Sequence, residues 1–190
     1  MKTIKISLKI FLCFTILTGI VYPLFLTGIA QLIFPEKANG SLITRNGKIV
    51  GSKLIGQQFD SARYFTSRPS AISYNPLPSG GSNLGLTNNK LKSLADDRKN
   101  QYIEFNQPDS VTGIPSEMIF ASASGLDPDI SSESALMQVN RITSARNFNT
   151  QQKQQLFKGI AEQTMAPQFF CLGPKRVNVL LLNLYLDRIK

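Results

Sequence analysis

With 190 residues the chain has room for one membrane segment and one domain of ordinary size. Twenty-one Lys and Arg against 12 Asp and Glu give a formal charge of +9, while His and Trp are absent. Without imidazole no Ser-His-Asp or Cys-His nucleophilic device can be built, and His-containing zinc sites are excluded with it. The positive charges are scattered, and 12 Phe and 5 Tyr offer few stacking platforms, so no nucleic-acid partner is expected.

Residues 1–9 carry Lys2, Lys5 and Lys9 and read as a short cytoplasmic tail. From Ile10 to Pro35 no side chain is charged, and residues 10–33 are long and apolar enough for a transmembrane helix, which Pro23 should bend. A signal peptide is the competing reading, but its apolar region is shorter. Cys13 does not read as a lipid anchor, because Leu12 occupies a place where that signal wants Gly or Ala. Cys171 lies near the far end of the chain, so both cysteines read as packing residues rather than as a disulfide or redox pair. Lysines before the span keep the N-terminus inside, which places residues 34–190 outside the cytoplasm of a single-pass protein in the plasma membrane.

In that outer part, Ser41 to Thr44 and Lys48 to Val50 flank Asn46-Gly47, the pattern of a β-hairpin. Residues 54–57 and 64–65 add strand or loop pieces, and residues 67–83, rich in Ser, Pro, Asn and Gly, read as a surface loop. Asn88 can cap a helix running to about Phe105, burying Leu91, Leu94, Tyr102 and Ile103. Ser131 or Ser132 can cap a second, with Leu136, Val139 and Ile142 inward, and Thr150 a third, with Leu156 and Ile160 inward. The closing run Val177 to Leu186 is a buried strand or a helix, and periodicity does not separate the two. The fold class is α+β: one N-terminal transmembrane helix followed by a single extracytoplasmic α+β domain.

Tests for chemistry come out negative. Residues 80–87, Gly-Gly-Ser-Asn-Leu-Gly-Leu-Thr, have the glycine spacing of a phosphate loop, but Leu86 stands where the phosphate-binding Lys belongs, which favours a tight loop whose glycines allow close backbone approach. Asp127-Pro128-Asp129 reads as a turn leading into a helix rather than a calcium loop, since Ser132 spoils the register. No Gly-x-Ser-x-Gly or Ser-x-x-Lys pattern occurs. Arg68 and Arg176 can meet an anion or an interface, and Asn178 and Asn183, set in an apolar run, should each tie down a loop or a strand edge. No catalytic residue, metal ligand or tightly bound cofactor is expected.

Taken in order, Val21-Tyr22-Pro23-Leu24, Phe34-Pro35, residues 38–43 (Ala-Asn-Gly-Ser-Leu-Ile), Gly51-Ser52, residues 54–57, Tyr64-Phe65, residues 68–71, Tyr74-Asn75-Pro76, residues 79–84, residues 121–127 (Ala-Ser-Ala-Ser-Gly-Leu-Asp), Gln138-Val139, Arg141, Ala145-Arg146, Val177-Asn178 and residues 182–184 resemble the KdpC family, the C subunits of the bacterial potassium-transporting P-type ATPase. The resemblance covers nearly the whole chain. It implies a non-catalytic accessory subunit of a high-affinity, ATP-driven potassium pump, assembled with a channel-like potassium-translocating subunit and an ATP-hydrolysing subunit. It also implies a catalytic-chaperone role that raises the ATP affinity of the latter; ATP would be hydrolysed by the partner, and potassium is the transported ion. Partner contact is expected at Asn39, Gly40, Ser41, Arg68, Ser79, Gly80, Gly81, Ser82, Asn83, Asp127, Arg141 and Asn178. A different class of function, a free-standing anchored module binding anionic wall or lipid components, draws only on the net charge.

Overall fold

The computed structural model describes residues 2–108 and 113–189, so Met1 of the expected tail and residues 109–112 and 190 of the expected outer domain lie outside the described residues. The chain divides into two compact units, residues 1–50 and 51–190.

The first unit is built on one long helix. Helix α1 (Lys2–Ile16) passes through a π-helical turn (Leu17–Val21) into α2 (Tyr22–Ile33). The helix ends where the apolar run ends, but it begins at Lys2 rather than at Ile10. Pro23 explains the π turn: proline cannot donate to the carbonyl four residues back and its ring collides with it. Widening the preceding turn, so that Tyr22 N–H donates to Leu17 O, relieves that collision. Thr15, Thr18 and Thr27 return their hydroxyls to the carbonyls four residues earlier at 2.7–2.8 Å, leaving an almost wholly apolar surface. The whole 32-residue stretch Lys2–Ile33 is unburied and is long and apolar enough to cross a membrane. A short helix α3 (Pro35–Ala38) follows, then strands β1 (Leu42–Arg45) and β2 (Lys48–Ser52), which pair as a two-stranded sheet. Asn46 and Gly47 at their junction have φ of 52° and 74°, as the sequence requires of a tight hairpin.

The second unit is a helical body with a very small sheet, so the α+β expectation holds. Helix α4 (Asn89–Asn106) is capped by Asn88, whose side chain accepts from Lys90 N. Of its four residues expected inside, only Tyr102 is buried; Leu91, Leu94 and Ile103 are half-buried, and Asn106 is buried in their place. After a single 3-10 turn (Ser116–Met118), β3 (Asp129–Ile130) leads to α5 (Ser132–Arg146), capped by Ser131. Val139 and Ile142 face inward, whereas Leu136 is exposed. Helix α6 (Thr150–Gln163) is capped one residue earlier than Thr150: Asn149 and Gln152 form a reciprocal capping box. The closing apolar run is both strand and helix. β4 (Val177–Asn178) pairs antiparallel with β3, then α7 (Val179–Leu186) begins, with Asn178 as its cap. Helix α5 packs against α4 and α6, and α6 against α7. Phe65, Ile130, Val139, Ile142, Leu156, Val177, Leu182 and Leu186 form the centre of the core.

Candidate functional site

Residues 121–130 form the hub of the second unit, and other segments of the chain are pinned against them at four points. Gly56 N–H donates to Leu126 O at 2.8 Å, Gly80 N–H to Ser124 O at 3.0 Å, Ser122 N–H to Pro69 O at 3.1 Å, and Val179 N–H to Pro128 O at 2.9 Å. Close approach explains Gly56 and Gly81. A Cβ on Gly56 would sit 2.5 Å from Asp127 O, and one on Gly81 would sit 2.9 Å from Ala123 O. Within the glycine-rich stretch 80–87 the close packing thus falls on Gly81, since a Cβ on Gly80 or Gly85 would meet nothing within 4 Å.

Charges lock this hub. Arg68 pairs with Asp127 at 2.9 Å, and Arg176 with Asp129 at 3.0 Å. Asp127 Oδ1 also accepts from Asp129 N–H at 3.0 Å, closing the expected turn. Asn178 donates to Lys53 O at 2.9 Å and to Asp129 Oδ1 at 3.2 Å, while its own Oδ1 accepts from Leu181 N–H. Burial pushes the Asp129 carboxyl above its ordinary value, against the pull of Asn178 and Arg176 and with help from Asp127. Arg68, Gly80, Gly81, Asp127 and Asn178 are thus brought together, with Ser79, Ser82 and Asn83 on the exposed flanks of the same loop.

Arg141 lies elsewhere, in a buried network on α5. Its Nε donates to Asn106 Oδ1 at 3.0 Å, Nη1 to Ala62 O at 2.7 Å, and Nη2 to Gln138 Oε1 at 2.9 Å, and its guanidinium stacks 4.4 Å from the Phe105 ring centre. Desolvation lowers its pKa to about 10, so it stays charged at neutral pH. Gln138 in turn holds Thr66 by accepting from its N–H and donating to its C=O. Asn183 does the same for Phe65, at 2.8 and 2.9 Å. Glu117 accepts from Ser131 N–H and from the Ser134 hydroxyl. Burial raises its carboxyl, but the Ser134 and Ser131 bonds and nearby Arg68 outweigh that and hold it below its ordinary value.

Asn39, Gly40 and Ser41 belong to the first unit. The Asn39 amide exchanges two hydrogen bonds with Gln31 at 3.1 Å each and donates to Pro35 O at 2.7 Å; Gly40 and Ser41 then turn the chain at positive φ. An open cleft of about 710 Å³ runs beside α4, lined by Phe59, Thr66, Arg98, Tyr102, Phe105 and Met118 among others. Burial raises the phenol of Tyr102 to about 12. Among the described residues no group of three or more His, Cys, Asp or Glu is placed to hold a metal ion.

Sequence reasoning missed Asn106, Glu117, Ser134 and Gln138 as structural ties. A signal for one was present: Gln138 lies between Ala135 and Ile142 on the inward stripe of α5, where a polar side chain must find partners.

Fold and site together define a small α+β body, preceded by an unburied apolar helix, whose buried polar residues tie its loops to one another and to the helices. Comparison with known proteins gives the family. The family model described as KdpC, K+-transporting ATPase, c chain, matches residues 4–188, and the chain belongs to that family. Among its relatives, each described as a potassium-transporting ATPase KdpC subunit, that of Geobacter metallireducens is 46% identical over 194 residues, covering 100% of this chain and 99% of its own. That of Acidobacterium capsulatum is 49% identical over 173 residues, 90% of each chain. That of Mycobacterium bovis is 44% identical over 185 residues, 96% of each.

Proposed function

We propose that this chain is the accessory subunit of a high-affinity, ATP-driven potassium pump, anchored by residues 10–33 with its N-terminus in the cytoplasm and its second unit outside. The observation that carries this reading is the family match across residues 4–188. Its partners would be the potassium-translocating and the ATP-hydrolysing subunits. The loop hub around Arg68, Gly80, Gly81 and Asp127 suits docking, because its backbone is fixed in advance by ion pairs and close glycine contacts and little ordering entropy remains to be lost. Any influence on ATP affinity is then indirect: a domain outside the membrane raises it only by stabilising one conformation of the assembly, as linkage between distant sites requires. Deleting the chain should abolish growth at limiting potassium while the other subunits are still expressed, and detergent extraction should recover it with two large membrane proteins. High-affinity uptake that persists without it would overturn the proposal, and recovery of the chain alone would favour the free-standing module.

A further inference from the structure

Between α6 and β4 the chain makes a narrow hairpin that the pump reading does not use. Met165 and Arg176 exchange backbone hydrogen bonds at 2.8 and 3.2 Å, as do Gln168 and Leu172 at 2.9 and 2.8 Å, and Cys171 N–H closes the turn onto Gln168 O at 3.2 Å. Its two central residues are Phe169 and Phe170, with φ of 51° and 64°. A β-turn with both central φ positive ordinarily takes Asn-Gly or Gly-Gly there, because a bulky side chain is strained. Here the strained positions hold two phenyl rings in solvent: Phe169 is 82% and Phe170 96% exposed, with Leu172 at 58% beside them. Strain kept at an exposed apolar tip points to function.

We propose that this tip inserts into the headgroup–acyl boundary of an anionic lipid bilayer. Its exposure and charge favour lipid. The tip offers exposed apolar side chains, and residues 164–176 contain Lys175 and Arg176 but no acidic residue. Arg176 is held by Asp129, leaving exposed Lys175 to meet anionic headgroups. The inference rests on the anchor reading: a chain held in the bilayer by its N-terminal helix meets lipid at high effective concentration, so even weak insertion is populated.

Because the chain has no Trp, single substitutions give clean fluorescent reporters. The full-length chain carrying F170W is reconstituted into phosphatidylcholine vesicles with or without phosphatidylglycerol, and with lipids brominated at shallow or deep acyl positions. F25W in α2 and L86W, at a site 95% exposed, serve as references. F25W quenched by deep bromines establishes the anchor separately; its failure would sink that reading, whatever the tip does. The expected result for F170W is a blue-shifted emission and a loss of roughly half its intensity to shallow bromines, with L86W unaffected. K175E should reduce the quenching in vesicles containing phosphatidylglycerol and leave it unchanged in phosphatidylcholine alone. F170W emission that stays solvent-like, or is quenched no more than L86W, would overturn the proposal. So would a blue shift that appears only when the partner pump subunits are added and that bromines do not quench.

Discussion

At the scale of single residues, three side chains carry consequences for stability. Asn183 gives the Phe65 backbone both an acceptor and a donor, as a neighbouring strand would, across 118 residues of sequence. Phe65 itself is fully buried, so no water replaces a lost partner. Asn183→Ala orphans an N–H and a C=O together, and should cost about 2–4 kcal/mol, read as a lower midpoint in denaturant unfolding of the purified chain. Glu117 makes stability depend on pH. Its folded pKa is depressed, so its contribution is fully present above the unfolded value of about 4.3 and is lost as pH falls through the lower, folded value. Wild type should therefore exceed Glu117→Gln in unfolding midpoint at neutral pH, and the gap should close on acidification; a gap independent of pH would refute the assignment. Asp129 has the opposite sign. Its raised value favours the protonated state, and the stability it lends is lost as pH rises from the unfolded value of about 3.9 through the folded one.

Elements were legible where their signals are local. The cap at Asn88 and the Asn-Gly turn were readable because each is satisfied within a few residues, and the structure chose Ser131 from the pair Ser131 and Ser132. The inward face of α5 was harder to read. Its buried stripe is Ala135, Gln138, Val139 and Ile142, spaced as i, i+3, i+4 and i+7, and the amide at Gln138 disguises it. Leu136, about 100° round the helix from Ala135, was taken for a member in place of Ala135 and Gln138, and the structure leaves that leucine exposed. The closing run was ambiguous because Asn178 serves two elements, ending the β3–β4 pairing and capping α7. Packing between α6 and α7 is tight at Gly159, where a Cβ would fall 2.1 Å from the Tyr185 ring. Gly159→Ala gains about 1 kcal/mol of helix propensity but incurs about 1–3 kcal/mol of overpacking. It should thus destabilise the chain alone and stabilise it in a Tyr185→Ala background, a sign change that a double-mutant cycle reads directly.

At the scale of the whole molecule, orientation is read best away from the hairpin. Cys171 sits on the hairpin tip and Cys13 in the apolar helix, whereas Leu86 is 95% exposed in the second unit. With the second unit outside, a membrane-impermeant maleimide should label Leu86→Cys in intact spheroplasts of a Cys171→Ser background, and the background alone should give no signal. Label taken up only after the membrane is opened would invert the proposed orientation. By itself the sequence determined the apolar helix, the Asn88 cap, the Asn46-Gly47 turn and, through an ordered series of short motifs, the family. These depend on neighbours a few residues apart or on the order of segments along the chain. Tertiary structure alone decided which backbone each buried amide holds, which glycines meet another strand of chain, and which phenyl rings find no core. Those outcomes follow from closing loops of tens to more than a hundred residues, where packing and hydrogen-bond satisfaction are settled between segments that carry no local record of one another.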